Sequence, residues 1–64
     1  MARIETNRAE VIRRLERDGW SLQRHGSDHD GYSHPVLGKL WVPRHRRLSP
    51  GVARDIAKKA QWLS

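Results

Sequence analysis

The chain has 64 residues and no cysteine, and thirteen Lys and Arg against seven Asp and Glu give it a formal charge of +6. Those figures exclude a disulfide framework, a thiolate zinc site and a cysteine nucleophile. A chain this small buries only about 60% of its unfolded surface, which leaves no interior for a deep cofactor cavity.

The first periodic segment runs from Asn7 to Asp18. Asn7 followed by Glu10 has the form of an N-capping box, and Arg8, Val11, Ile12 and Leu15 share one helical stripe. Arg13, Arg14, Glu16 and Arg17 fall on the water side, where Glu10 can pair with Arg14 one turn on. Gly19 stands where a left-handed C′ residue ends a helix. From Trp20 the period changes to two: Trp20, Leu22 and Arg24 alternate with Ser21, Gln23 and His25, which predicts a half-buried strand. Gly26-Ser27-Asp28 is a turn, His29 to His34 a second strand with Tyr32 as its apolar member, Pro35 to Gly38 another turn, and Lys39 to Val42 a third strand stopped by Pro43. Tight turns between consecutive strands predict an antiparallel meander.

Arg44 to Leu48 is a basic loop, and Ser49-Pro50 then starts a second helix with a hydroxyl cap and proline at its first position. Val52, Ile56, Ala60 and Leu63 form its apolar stripe, with Ala53 and Ala57 beside them. The expected architecture is α+β, in the order helix, strand, strand, strand, helix. A three-stranded antiparallel sheet carrying both helices on one face buries both stripes. With no Phe in the chain, the three Trp must supply much of the core, so Trp20 and Trp41 are expected to be buried, while Trp62 sits near the end of the chain. The longest apolar run, Leu40-Trp41-Val42, reaches neither a membrane span nor a signal-peptide core, so residues 1–64 read as a single cytoplasmic domain.

Ten of the thirteen cations are Arg, whose planar fork suits phosphate and stacks on bases. A polyanion is therefore the expected partner, and nucleic acid precedes an acidic membrane because the cations are not gathered on one amphipathic helix. The plainer alternative is a basic domain whose charge only keeps it soluble. Four His, at 25, 29, 34 and 45, invite a metal reading, as does Asp28-His29-Asp30. His25 and His29 are spaced i, i+4, however, which serves a metal only on a helix, and Gly26 lies between them. No metal and no cofactor is expected. Acid/base work suits imidazole better, because RNA brings its own nucleophile in the 2′-OH beside each phosphate. Its cleavage then needs a base, a proton for the departing 5′ oxygen, and cations for the charge developing on phosphorus.

Four stretches in order, Asp18-Gly19-Trp20-Ser21-Leu22-Gln23-Arg24, His29-Asp30-Gly31-Tyr32-Ser33-His34-Pro35, Val42-Pro43-Arg44-His45 and Leu48-Ser49-Pro50-Gly51, resemble the HicA toxin family over nearly the whole chain. The resemblance implies a double-stranded-RNA-binding-domain-like αβββα fold. It also implies a toxin of a type II toxin–antitoxin system, an endoribonuclease (mRNA interferase) that cleaves mRNA and arrests growth, and a HicB-type antitoxin that covers the His29 surface. The family's essential histidine follows a strand-one arginine by five positions and precedes an aromatic by three. Arg24, His29 and Tyr32 satisfy both spacings, which gives the catalytic role to His29. The chain departs from the family in placing Asp28 between Ser27 and His29, Val52 after Pro50-Gly51, and Gln61 where relatives commonly close the second helix with Gly.

The second proton-transfer or orienting group stays open among His34, Tyr32, Ser27 and Lys39. The expected phosphate contacts are Arg24 on the first strand and Arg44, Arg46 and Arg47 on the following loop, with Lys39 as a further RNA-binding cation. The alternative function is a non-catalytic double-stranded-RNA-binding module. Such modules carry a Lys-rich start to the last helix, where this chain has Ser49-Pro50-Gly51.

Overall fold

A computed structural model describes residues 4–63. Its elements are α1 (Arg8–Arg17), β1 (Ser21–His25), β2 (His29–His34), β3 (Gly38–Pro43) and α2 (Pro50–Lys59). This is the double-stranded-RNA-binding-domain-like αβββα order, and the three strands form one antiparallel sheet in the order β1-β2-β3.

The helix ends follow from local chemistry. Asn7 Oδ1 accepts the backbone N–H of Glu10 at 3.1 Å, and Ser49 Oγ accepts that of Val52 at 3.3 Å ahead of Pro50. At the far end of α1, Gly19 takes φ +101°, its N–H reaches the Glu16 carbonyl and that of Trp20 reaches Leu15. The two bonds make a Schellman motif. The same pair recurs after α2, from Gln61 to Lys58 and from Trp62 to Ala57, with Gln61 at φ +64°.

Val11 and Leu15 of α1, Ala53 and Ile56 of α2, and Tyr32, Leu40 and Val42 of the sheet bury together with Trp20, Leu48 and Ala60. Alternation on β2 and β3 decides this: Tyr32 faces Leu40 and Asp30 faces Val42 on the helix side, while Gly31 faces Trp41 and Ser33 faces Lys39 on the other. The helices therefore share one face of the sheet and leave the second open. Leu48 anchors the basic loop from inside the core, and its N–H donates to the Thr6 carbonyl.

Three expectations are corrected. β1 is exposed along its whole length, with Leu22 48% exposed. Two ten-residue helices bury the inner faces of β2 and β3 and leave β1 at the uncovered edge, where a bulge at Gln23 breaks the alternation. Trp41 is 52% exposed on the open face, whereas Trp20 is in the core as expected. Glu10 pairs with Arg13 rather than Arg14, whose guanidinium lies over the Trp62 ring.

Candidate functional site

The open face collects the groups that carry chemistry. Arg24, Gly26, Ser27, Asp28, His29 and Trp41 line an open groove of about 560 Å³. The register explains the grouping. Arg24, Gly31 and Trp41 are successive partners across the sheet, and His29 opens β2 on the same face, opposite Pro43. The turn that delivers His29 is closed by a bond from the Gly26 N–H to the His29 carbonyl at 3.0 Å. A side chain on Gly26 would stand 2.4 Å from that carbonyl oxygen, so the tight turn depends on glycine.

Behind the groove lies an anchor on Asp30, which sequence reading met only within Asp28-His29-Asp30 as a possible metal group. Asp30, with its side chain 8% exposed, takes Arg8 Nη2 on one oxygen at 2.7 Å. Its other oxygen takes Arg44 Nη2 at 3.0 Å and His25 Nδ1 at 3.1 Å. Burial pushes this carboxyl up, but the hydrogen bond and charge of Arg44, with His25 and Arg8, outweigh it and hold it below the ordinary carboxylate value. One buried anion thus joins the start of α1, the end of β1, the second residue of β2 and the loop after β3. The loop is fastened again where Arg44 N–H donates to the Asp28 carbonyl at 3.0 Å and Arg8 Nε to that of Pro43 at 2.7 Å. The sequence held one signal for this site, an Asp in the second position of a strand within a highly basic chain. Its partners could not be named without the fold.

The other sequence candidates separate. Ser27 shares the groove with His29. Lys39 is on the open face, opposite Ser33. Tyr32 is buried among core residues, and burial raises its phenol above the ordinary value. His34 ends β2 against Trp20, ring centroids 5.2 Å apart, and its Nδ1 accepts the N–H groups of Val36 and Leu37. That assigns the proton to Nε2, which lies 3.1 Å from the Asp18 carbonyl. Arg44 is committed to Asp30, Arg46 is exposed with its carbonyl accepting the Arg8 N–H, and Arg47 lies beside Thr6 where the loop reaches α1. Among the described residues no group of three or more His, Asp or Glu is arranged to hold a metal ion, and no helix is long and apolar enough to cross a membrane.

The groove offers an imidazole, a guanidinium with no carboxylate partner among the described residues, a hydroxyl and an aromatic face together. Such a set can bind a phosphodiester and move protons about it.

No curated protein and no solved structure matches the chain significantly. A family model described as the HicA toxin of bacterial toxin-antitoxin systems matches residues 8–62, from the first residue of α1 to the tryptophan beyond α2. The chain belongs to the HicA toxin family of bacterial toxin–antitoxin systems.

Proposed function

We propose that this toxin is an endoribonuclease, an mRNA interferase, that cleaves RNA by metal-independent acid/base catalysis with His29 as the working imidazole. The observation that supports it is the meeting of His29, Arg24 and Ser27 in one open groove. In this reading the 2′ oxygen attacks the adjacent phosphorus and His29 takes its proton. The bond from phosphorus to the 5′ oxygen breaks, and that oxygen leaves with a proton. The products are a 2′,3′-cyclic phosphate and a 5′-hydroxyl, and no further reactant is needed. Arg24 offsets the charge that builds on the phosphoryl oxygens. Of the open candidates for the second proton-transfer group, Ser27 is the one that shares the groove with His29, and Lys39 stands on the same face as a phosphate contact. Arg44 acts from beside Asp30, and Arg46 and Arg47 extend the basic surface toward α1.

The cellular consequence is mRNA loss and growth arrest in the cytoplasm. Relief comes from a HicB-type antitoxin covering the His29 surface, with complementary charge speeding its association.

The test is induction of the wild type and His29→Ala in cells, following growth and mRNA integrity at matched protein levels. The wild type arrests growth and degrades mRNA, and the alanine variant does neither. A variant that stayed equally toxic would overturn the assignment. In vitro, cleavage persists in EDTA, and an RNA carrying 2′-deoxyribose at the scissile position resists. Cutting of that analogue would exclude attack by the 2′-OH.

A further inference from the structure

The open face carries one feature that cleavage chemistry does not use. Trp41 is 52% exposed midway along β3, an edge strand of the sheet, which makes it a large apolar ring on the open face. Its position is built. Gly31 lies opposite it on β2, and a Cβ there would come within 3.0 Å of Cζ3, 3.3 Å of Cη2 and 3.4 Å of Cε3. Three neighbouring atoms of the six-membered ring thus rest on one glycine, so the indole lies down on the sheet with its other side outward. Arg24 flanks it across Gly31, and His29 lies diagonally across from it, a separation of about 7–8 Å between neighbouring antiparallel strands. Ser21, Ser33, Lys39 and Pro43 share this face; Asp28 in the turn is the carboxylate that lines the groove, and Asp55 of α2, with Lys59, lines the neighbouring cleft that Trp41 and His29 also border.

We infer that Trp41 is a stacking platform for an unpaired nucleobase next to the scissile phosphate, so that the substrate is single-stranded RNA at the cleavage position. The place of the scissile phosphate rests on the ribonuclease reading, though the binding itself does not. The geometry requires an unpaired base, because the faces of bases inside an A-form helix are covered by their neighbours, and only splayed bases can lie on a protein ring. Every base has a π-face, so the subsite tolerates any of them, and selectivity at that nucleotide is weak. Arg24 and Lys39 hold the backbone on either side of the ring, which leaves the base over Trp41 and an adjacent phosphate toward His29. The fold resembles a double-stranded-RNA-binding domain, yet the open face is equipped for a strand that has come apart.

The test measures binding without cleavage. A fluorescent single-stranded oligonucleotide with 2′-O-methyl groups throughout cannot be cut by its own 2′ oxygens. Its affinity is read by anisotropy for the wild type, Trp41→Phe and Trp41→Leu, and compared with a duplex of the same sequence. The wild type binds the single strand more tightly than the duplex. Trp41→Leu weakens single-strand binding about 5- to 150-fold, the usual range for loss of one base–aromatic stack, and Trp41→Phe falls between. Thermal melts of all three confirm folding, as expected for a half-exposed position. Gly31→Ala keeps the indole but lifts it from the sheet, and it weakens binding in the same direction. Equal affinity of Trp41→Leu, or a wild-type preference for the duplex, overturns the platform; the ring would then be a protein contact. Because the ligand is uncleavable, a chain that cuts no RNA but loses affinity in Trp41→Leu defeats the nuclease reading and supports the platform. Cleavage lost in His29→Ala with unchanged binding in Trp41→Leu does the reverse.

Discussion

The indole Nε1–H of Trp62 donates to Oδ2 of Asp18 at 2.7 Å, so the segment after α2 is fastened to the C-cap of α1. Arg14 lies over the same ring at 4.3 Å from its centroid. In a chain with a thin core, this contact holds the two helices to each other at their ends.

Trp62→Phe keeps an aromatic ring under Arg14 but removes the donor, and it should cost about 1 kcal/mol, the net worth of a charge-assisted bond at a partly exposed site. Asp18→Ala should cost a similar amount, and the double variant little more than either, because both remove one interaction. The Trp62 hydrogen bond holds the Asp18 carboxyl below its ordinary value of 3.8, against a smaller opposing push from burial and with help from Arg17 and Arg14. Folding lowers this pKa, so the stabilisation is complete above the ordinary value and is lost as pH falls through the lower folded-state value. Denaturant unfolding should show a constant gap between wild type and Asp18→Ala from neutral pH down to about pH 5, closing below about pH 4. A gap that widened on acidification would exclude this linkage.

Asp30→Asn tests the anchor behind the groove. The substitution leaves Arg8, Arg44 and His25 around a neutral amide that accepts fewer bonds. Its melting temperature should fall well below that of Asp28→Asn, which changes an exposed carboxylate two positions away. The Asp30 carboxyl is also held below its ordinary value, so its contribution is present at neutral pH and lost on acidification. Similar melting temperatures for the two variants would show that the cluster is solvated rather than structural.

His34 and His29 should separate by phenotype. His34 joins three backbone groups and the Trp20 ring, so His34→Ala should lower stability by about 2 kcal/mol, from its hydrogen bonds and aromatic contact. His29 is exposed at the groove, and His29→Ala should leave the melting temperature nearly unchanged while abolishing toxicity. Residual toxicity of His34→Ala should follow its folded fraction as temperature is varied. A stable but inactive His34→Ala would instead make His34 part of the proton transfer.

The helices were legible because their signals are local. Asn7 with Glu10, Ser49 with Pro50, and Gly19 act within a few residues, and the structure places caps at each. The strands were legible as strands but not in their faces, since a period of two says that sides alternate without saying which side is covered. That is why Trp41 was expected inside and stands outside, whereas Leu22, opposite Tyr32 on the helix side, is exposed because its strand lies at the uncovered edge. Arg24 and His29 were grouped by the spacing that the family resemblance implies, with Ser27 one of several open candidates, and one turn brings the three to the same groove. The Asp30 cluster could not, because its Arg partners lie 22 positions before it and 14 after it. Long-range pairing of charges leaves no periodic trace.

The two helix ends give a matched pair of predictions. Gly19 and Gln61 hold the same place in the same two-bond motif, each with a positive φ, of 101° and 64°. The left-handed region costs a residue with a Cβ about 1–2 kcal/mol, and glycine nothing. Gly19→Ala should therefore destabilise by at least that much, since its Cβ would also come 3.2 Å from His34 Nε2. Gln61→Gly should stabilise, by about 0.5–1 kcal/mol once the greater freedom of glycine in the unfolded chain is deducted. Gln61 is exposed, so no packing is lost in the exchange. Chemical denaturation of both variants checks the pair. A destabilised Gln61→Gly would mean that the glutamine side chain does something at the helix end that its backbone conformation does not reveal.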